Sequence, residues 1–237
     1  MVVYNPWHGC HKFSEGCMHC YVFRMDEKYH KDTNVVTKNK TFNDLIKRKK
    51  DGSYTIGDHS LIYLCFSSDF FIEEADTWRN DVWKMIRERQ DATFLVLTKR
   101  IHRFYECIPD DWGSDYNHVT IGCTVENQKR ADERLPLYLS LPMAHKMIIC
   151  EPLLEAIDLK EYLNSSIELL LVGGESGNQA RLTDYDWIVS LSNQAQAKGV
   201  PFHFKQTGTN FRKDGKIYRI ARKDQSSQAK KANLNTD

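Results

Sequence analysis

Short apolar runs at 61–66, 93–97, 119–123, 146–150, 168–172 and 201–204 recur along the chain, separated by charged stretches. Each run has the length of a strand, and several lack polar alternation, as expected where a strand is covered on both faces. The intervening stretches 75–90, 127–141 and 184–198 carry helical periodicity, and Trp78, Val82 and Ile86 form one stripe at spacing i, i+4, i+8. Strands that alternate with helices imply a parallel sheet, because a parallel pair needs a crossover. Residues 2–5 supply a further strand, which brings the total to about seven. The expectation is an α/β fold of full or partial (β/α) TIM-type barrel form. An open doubly wound sheet competes with it, but no G-x-G-x-x-G follows an early strand.

The 237 residues are 41% hydrophobic, enough for one substantial core. One barrel domain is expected over 1–220, followed by a polar, flexible tail at 221–237. The formal net charge of +1 gives no global bias towards nucleic acid or membrane. Seven cysteines are an odd count, and Cys65, Cys107, Cys123 and Cys150 lie far apart, unlike a secreted disulfide framework. The opening MVVYNPWHGC lacks a cationic leader, and no apolar run reaches membrane-spanning length. The expectation is a cytoplasmic protein without membrane contact, in a compartment that keeps thiols reduced.

Cys10, Cys17 and Cys20 sit in NPWHGCHKFSEGCMHCY with spacing C-x6-C-x2-C. Thiolates hold soft or borderline ions, so the trio suits zinc or an iron–sulfur cluster. A closed zinc site needs a fourth ligand, for which His8, His11 or His19 is available. A four-iron cluster on three thiolates would instead leave one iron open to a small molecule. The spacing leaves both readings standing.

In a (β/α) barrel the reacting groups come from the C-terminal ends of the strands. Those positions hold Ser67, Ser68 and Asp69; Lys99 and Arg100; Glu126 and Asn127; Glu151; Gly173, Gly174 and Glu175; and Lys205 and Gln206. For each the plain alternative is a helix cap or a solvated loop residue. Gly173 and Gly174 allow a close backbone approach, and Glu175 can accept hydrogen bonds from an amine or from ribose hydroxyls. Trp7 reads as a core anchor.

The runs NPWHGCHKFSEGCMHCY, SSDFF, LTKR, IGCTVENQ, CEPLL, VGGESG and FHFKQTG occur in an order that resembles the phage Gp37/Gp68-like proteins, a domain of unknown function similar to radical S-adenosylmethionine (SAM) proteins. The resemblance spans nearly the whole chain up to the tail. It implies a [4Fe–4S] cluster on Cys10, Cys17 and Cys20, with SAM as second cofactor, cleaved reductively to a radical that abstracts hydrogen. His19, just before the last cysteine, stands where the common pattern has an aromatic side chain near adenine. Ser67, Ser68 and Asp69 are then candidates for the SAM amine, Lys99 and Arg100 for its carboxylate, and Glu126 and Asn127 for ribose. Glu151, Glu175, Lys205 and Gln206 are left for the substrate. Two departures stand out: the common spacing is C-x3-C-x2-C, and the Gly-Gly-Glu triplet, usual after the second strand, here follows the sixth.

This reading implies an electron-donating protein such as a flavodoxin or ferredoxin, a nucleoside or nucleic-acid substrate, and a protein partner. Two alternatives remain from the residues themselves. One is a zinc-binding barrel module that binds nucleic acid; the other is a cluster enzyme that performs non-radical group transfer from SAM.

Overall fold

The computed structural model describes residues 2–113 and 116–236. The apolar runs form β1 (Val2–Tyr4), β2 (Leu61–Leu64), β3 (Thr93–Thr98), β4 (Val119–Thr124), β5 (His145–Cys150), β6 (Ile167–Gly173) and β7 (Phe202–Gln206). The larger helices are α1 (Tyr21–Lys28), α2 (Asp76–Glu88), α3 (Gln128–Ser140), α4 (Tyr185–Ala197) and α5 (Gln225–Lys231). The seven strands hydrogen-bond in one sheet in the order β1-β2-β3-β4-β5-β6-β7. Strand order therefore follows chain order, as in a partial (β/α) barrel. A doubly wound sheet would reverse direction at a switch point, and this order has none.

The chain divides into two compact units. The first comprises Met1–Lys12, Val22–Gly122 and Pro142–His145; the second comprises Phe13–Tyr21, Cys123–Leu141 and Lys146–Asp237.

In the first unit β1 pairs in parallel with β2, Tyr4 opposite Leu64, and β2 pairs in parallel with β3, Leu64 opposite Val96. Ile62, Leu64, Phe94 and Val96 are buried, and α2 turns Val82, Trp83, Met85 and Ile86 inward. Trp7 is fully buried and stacks on Phe70 at 5.3 Å between ring centroids, while Phe70 meets Trp83 edge-on at 5.1 Å. Trp7 is thus a core anchor. Each such buried aromatic contributes on the order of 1.5–3 kcal/mol by desolvation. It also fixes the backbone just ahead of the cysteines.

In the second unit β5 pairs with β6, Ile148 opposite Leu170, and β6 pairs with β7, Val172 opposite Phe204, both in parallel. Their side chains bury Ile148, Cys150, Leu170, Val172, Phe202 and Phe204. Helix α3 starts at the Asn127 cap, whose side chain accepts from the Arg130 amide; α4 starts at Asp184, which accepts from the Asp186 amide. A small sheet joins Leu182–Asp184, Asn210–Lys213 and Lys216–Arg219.

The polar segment after residue 220 includes α5 and makes contacts that composition does not reveal. Gln225 and Ala229 of α5 are buried. Beyond the helix, the Thr236 hydroxyl accepts from the Phe202 amide at 2.8 Å, and the Asn235 side chain accepts from the Phe204 amide at 2.7 Å. Among the described residues, no helix is long and apolar enough to cross a membrane.

Candidate functional site

The cysteines lie on the loop between the two-residue strand Trp7–His8 and α1. In the first unit, Cys10 is half-buried and its amide donates to the Thr33 carbonyl at 2.8 Å. The strand end after β2 holds the backbone that precedes it. The Gly9 amide donates to the Ser67 carbonyl, the Ser67 hydroxyl to the Trp7 carbonyl at 3.3 Å, and the Ser68 hydroxyl to the Gly9 carbonyl.

Asp69 is buried and fully engaged. It accepts from the Phe71 amide at 2.9 Å, the Thr98 hydroxyl at 2.8 Å and the Lys99 amide at 3.0 Å, and it pairs with Arg100 at 3.2 Å. The Arg100 guanidinium also donates from Nη2 to the His11 carbonyl at 3.0 Å and points Nη1 at the Cys10 sulfur at 4.0 Å. Lys99 is half-buried and meets Asp69 through its backbone. Two histidines flank Cys10. His8 Nε2 lies 2.8 and 2.9 Å from the two oxygens of buried Asp26, which also accepts from Thr33, and His11 Nε2 pairs with Glu74.

In the second unit, Cys17 closes a single 3-10 turn, Glu15–Cys17, and the Cys20 amide donates to the Cys17 carbonyl at 3.3 Å. Both thiols are half-buried, and the Ser14 hydroxyl lies 3.9 Å from the Cys17 sulfur. Glu126, at the end of β4, is wholly buried; it accepts from the Ser14 hydroxyl and from Arg134 Nη1 at 2.9 Å. Glu15 is bridged by Arg130 at 2.9 and 3.0 Å, and that guanidinium holds its carboxyl down at about 2. Arg181 donates to the Glu15 carbonyl at 2.9 Å. Glu175 grips Arg181 with both oxygens, at 2.6 and 2.9 Å. Burial alone would raise Glu175, but the Arg181 hydrogen bonds outweigh it and keep the carboxyl below its ordinary value. Half-buried His19 acts in the same direction.

The remaining sequence candidates form a second group in this unit. Glu151, ahead of a cis bond to Pro152, accepts from Lys205 at 2.7 Å and from Gln206 at 2.6 Å. The Gln206 amide also reaches the Gly174 carbonyl at 3.1 Å. The close approach that Gly173 and Gly174 permit is used within the chain. A Cβ on Gly174 would stand 2.2 Å from the Thr207 carbonyl oxygen, and one on Gly173 would stand 2.9 Å from Glu151 Oε1. Asn127 caps α3.

The structure thus gathers Ser67, Ser68, Asp69 and Arg100 about the Cys10 backbone, Glu126 and Glu175 about residues 14–16, and Glu151, Lys205 and Gln206 with one another. Sequence reasoning missed Ser14, Glu15, Arg130, Arg134 and Arg181. Arg130 and Arg134, four apart on α3, were the available signal, since that spacing sets both on one helix face.

Among the described residues, no group of three or more His, Cys, Asp or Glu side chains is arranged to hold a metal ion. The donor set still suits a soft metal. None of the seven cysteines forms a disulfide, so all three loop sulfurs remain as thiol ligands, and Arg100 Nη1 lies 4.0 Å from the Cys10 sulfur.

A search of the curated proteins and a search of the solved structures each found no match. The family described as "Protein of unknown function (DUF5131)" matches residues 1–235, and the chain belongs to it.

Proposed function

We propose that the chain is a radical SAM enzyme, with Cys10, Cys17 and Cys20 holding a [4Fe–4S] cluster and hydrogen abstracted from a nucleoside or nucleic-acid substrate. The observation that carries this reading is the loop itself. Three thiols stand within eleven residues, and strand-end side chains bond to the loop in both units: Ser68 and Arg100 in the first, Glu126 in the second. The ordered motifs that resemble the phage Gp37/Gp68-like proteins support it further. When bound, the cluster supplies the electron that cleaves SAM.

The chain's own residues then divide by task. Ser67, Ser68, Asp69 and Arg100 orient the backbone on either side of Cys10, and Glu126 and Glu175 do the same for residues 14–16, in place of direct contact with SAM. Lys99 supplies a cation for the SAM carboxylate and His19 a ring for adenine. Glu151, Lys205 and Gln206 form an ionic and amide group suited to the polar edge of a substrate. A reductant protein such as a flavodoxin or ferredoxin, and a reducing cytoplasm, follow from the same chemistry.

A zinc site is the second reading, favoured by the His8–Asp26 and His11–Glu74 pairs. A metal-bound histidine commonly gives its other ring nitrogen to a carboxylate.

The deciding experiment is anaerobic reconstitution with iron and sulfide, reduction with dithionite in the presence of SAM, and chromatography for 5′-deoxyadenosine. Its formation, lost in Cys17→Ala, is expected. A colourless protein that takes zinc stoichiometrically and assembles no cluster overturns the proposal.

A further inference from the structure

Arg100 stands out among the side chains that hold the loop, because it points a buried cation at the sulfur of Cys10. It is 6% exposed, and its donors are divided among Asp69 at 3.2 Å, the His11 carbonyl at 3.0 Å and Cys10 Sγ at 4.0 Å. Asp69 cannot release it. The carboxylate is itself fixed by the Phe71 and Lys99 amides and by the Thr98 hydroxyl, all on the two strand ends that flank the loop. The Arg100 amide also donates to the Thr98 hydroxyl at 2.9 Å, so backbone and side chain are tied to the same carboxylate. Such a chain fixes both the position and the direction of the guanidinium.

We propose that Arg100 is a positioning residue that donates to the Cys10 sulfur when that sulfur is bound to metal, and so sets how readily the metal centre accepts an electron. The inference rests on the metal-binding reading of the cysteines. Its physical basis is that a buried cation acts in a low-dielectric surrounding, where its field is strong. A hydrogen bond to a ligating sulfur, together with that field, stabilises the more negative, reduced state; both are known levers on the potential of thiolate-bound clusters. The fork geometry explains why the residue is arginine. A lysine ammonium can remain paired with Asp69 but cannot reach Asp69, the His11 carbonyl and the sulfur from one rigid plane.

The test compares wild type, Arg100→Lys and Arg100→Gln, each loaded anaerobically with iron and sulfide, by the reduced-to-oxidised ratio at one fixed potential. Arg100→Lys keeps the charge opposite Asp69 and so guards against loss of folding. The expected result is a graded fall, largest for Arg100→Gln at about tenfold, equivalent to about 59 mV for a one-electron couple, and smaller for Arg100→Lys. Variants that load the cluster and keep the wild-type ratio overturn the proposal. If wild type assembles no cluster but binds cobalt(II), the cluster reading has failed separately, and the thiolate-to-cobalt charge-transfer band becomes the readout. A band shifted in Arg100→Lys then supports the hydrogen bond to sulfur, and an unshifted band overturns it. A wild-type chain that binds neither iron–sulfur nor cobalt overturns both.

Discussion

Gly16 and Glu126 touch so closely that a methyl group on Gly16 would stand 2.5 Å from the Glu126 Cγ. Glu126 cannot step aside, because it is wholly buried between Arg134 and Ser14. Gly16→Ala is therefore expected to cost about 1–3 kcal/mol of stability, the usual penalty of overpacking. The measurement is a denaturant titration, in which the midpoint falls at constant slope. A midpoint equal to that of wild type would show that Glu126 yields.

The Glu126–Arg134 pair makes a second prediction. Arg134 is buried, and its Nε and Nη2 have no hydrogen-bond partner, so its charge depends on Glu126 and on the Thr124 carbonyl. Glu126→Leu leaves that charge uncompensated and is expected to cost about 3–5 kcal/mol, whereas adding Arg134→Met to it restores much of the loss. A double-mutant cycle reads the coupling directly. A coupling near zero would mean that the two side chains act independently.

Asp69 is expected to behave as a structural carboxylate. Asp69→Ala removes the acceptor of three hydrogen bonds and strands buried Arg100, at about 3–5 kcal/mol. Thr98→Val removes one of those donors and costs nearer about 1 kcal/mol. Thermal unfolding ranks the two variants, and an Asp69→Ala protein as stable as Thr98→Val would refute the assignment.

These residues show how far the sequence could be read. The strands were legible because their apolar runs have one length and recur between helical stripes: the expected 93–97 became Thr93–Thr98, and 119–123 became Val119–Thr124. The strand ends were legible as a set of polar positions, since chain order put them at one end of successive parallel strands. Their tasks were not. Whether Asp69 meets a ligand or three internal donors depends on the conformation of the Phe71 turn and on the side chain of Thr98, which sequence spacing does not encode. Asn127 took the plain role of helix cap. The arginines of α3 share a helix face, but their partners do not show in that spacing: Arg130 meets Glu15, far off in sequence, and Arg134 meets Glu126 at the preceding strand end. Helix α5 was missed because its only buried residues, Gln225 and Ala229, give no apolar stripe.

Acid should loosen residues 14–16. The Arg130 guanidinium, by hydrogen bonding, lowers Glu15 from an ordinary value of 4.5 to about 2. A depressed folded-state value means that the stabilisation is complete above about 4.5 and is lost as pH falls towards about 2. Glu175, held low against burial by Arg181, adds in the same direction. Glu15 is 40% exposed, so solvent and salt weaken its share. Glu15→Gln is expected to flatten the fall in stability between about pH 4.5 and 2, most visibly at low ionic strength. An unchanged slope would remove Glu15 from the account.

The last residues of the chain carry a different consequence. β7 ends the strand order, and its Phe202 and Phe204 amides are met by Thr236 and Asn235. An uncovered sheet edge is a template for another chain. A protein shortened at residue 224 would present those amides to its neighbours, and its defect would show as precipitation on standing.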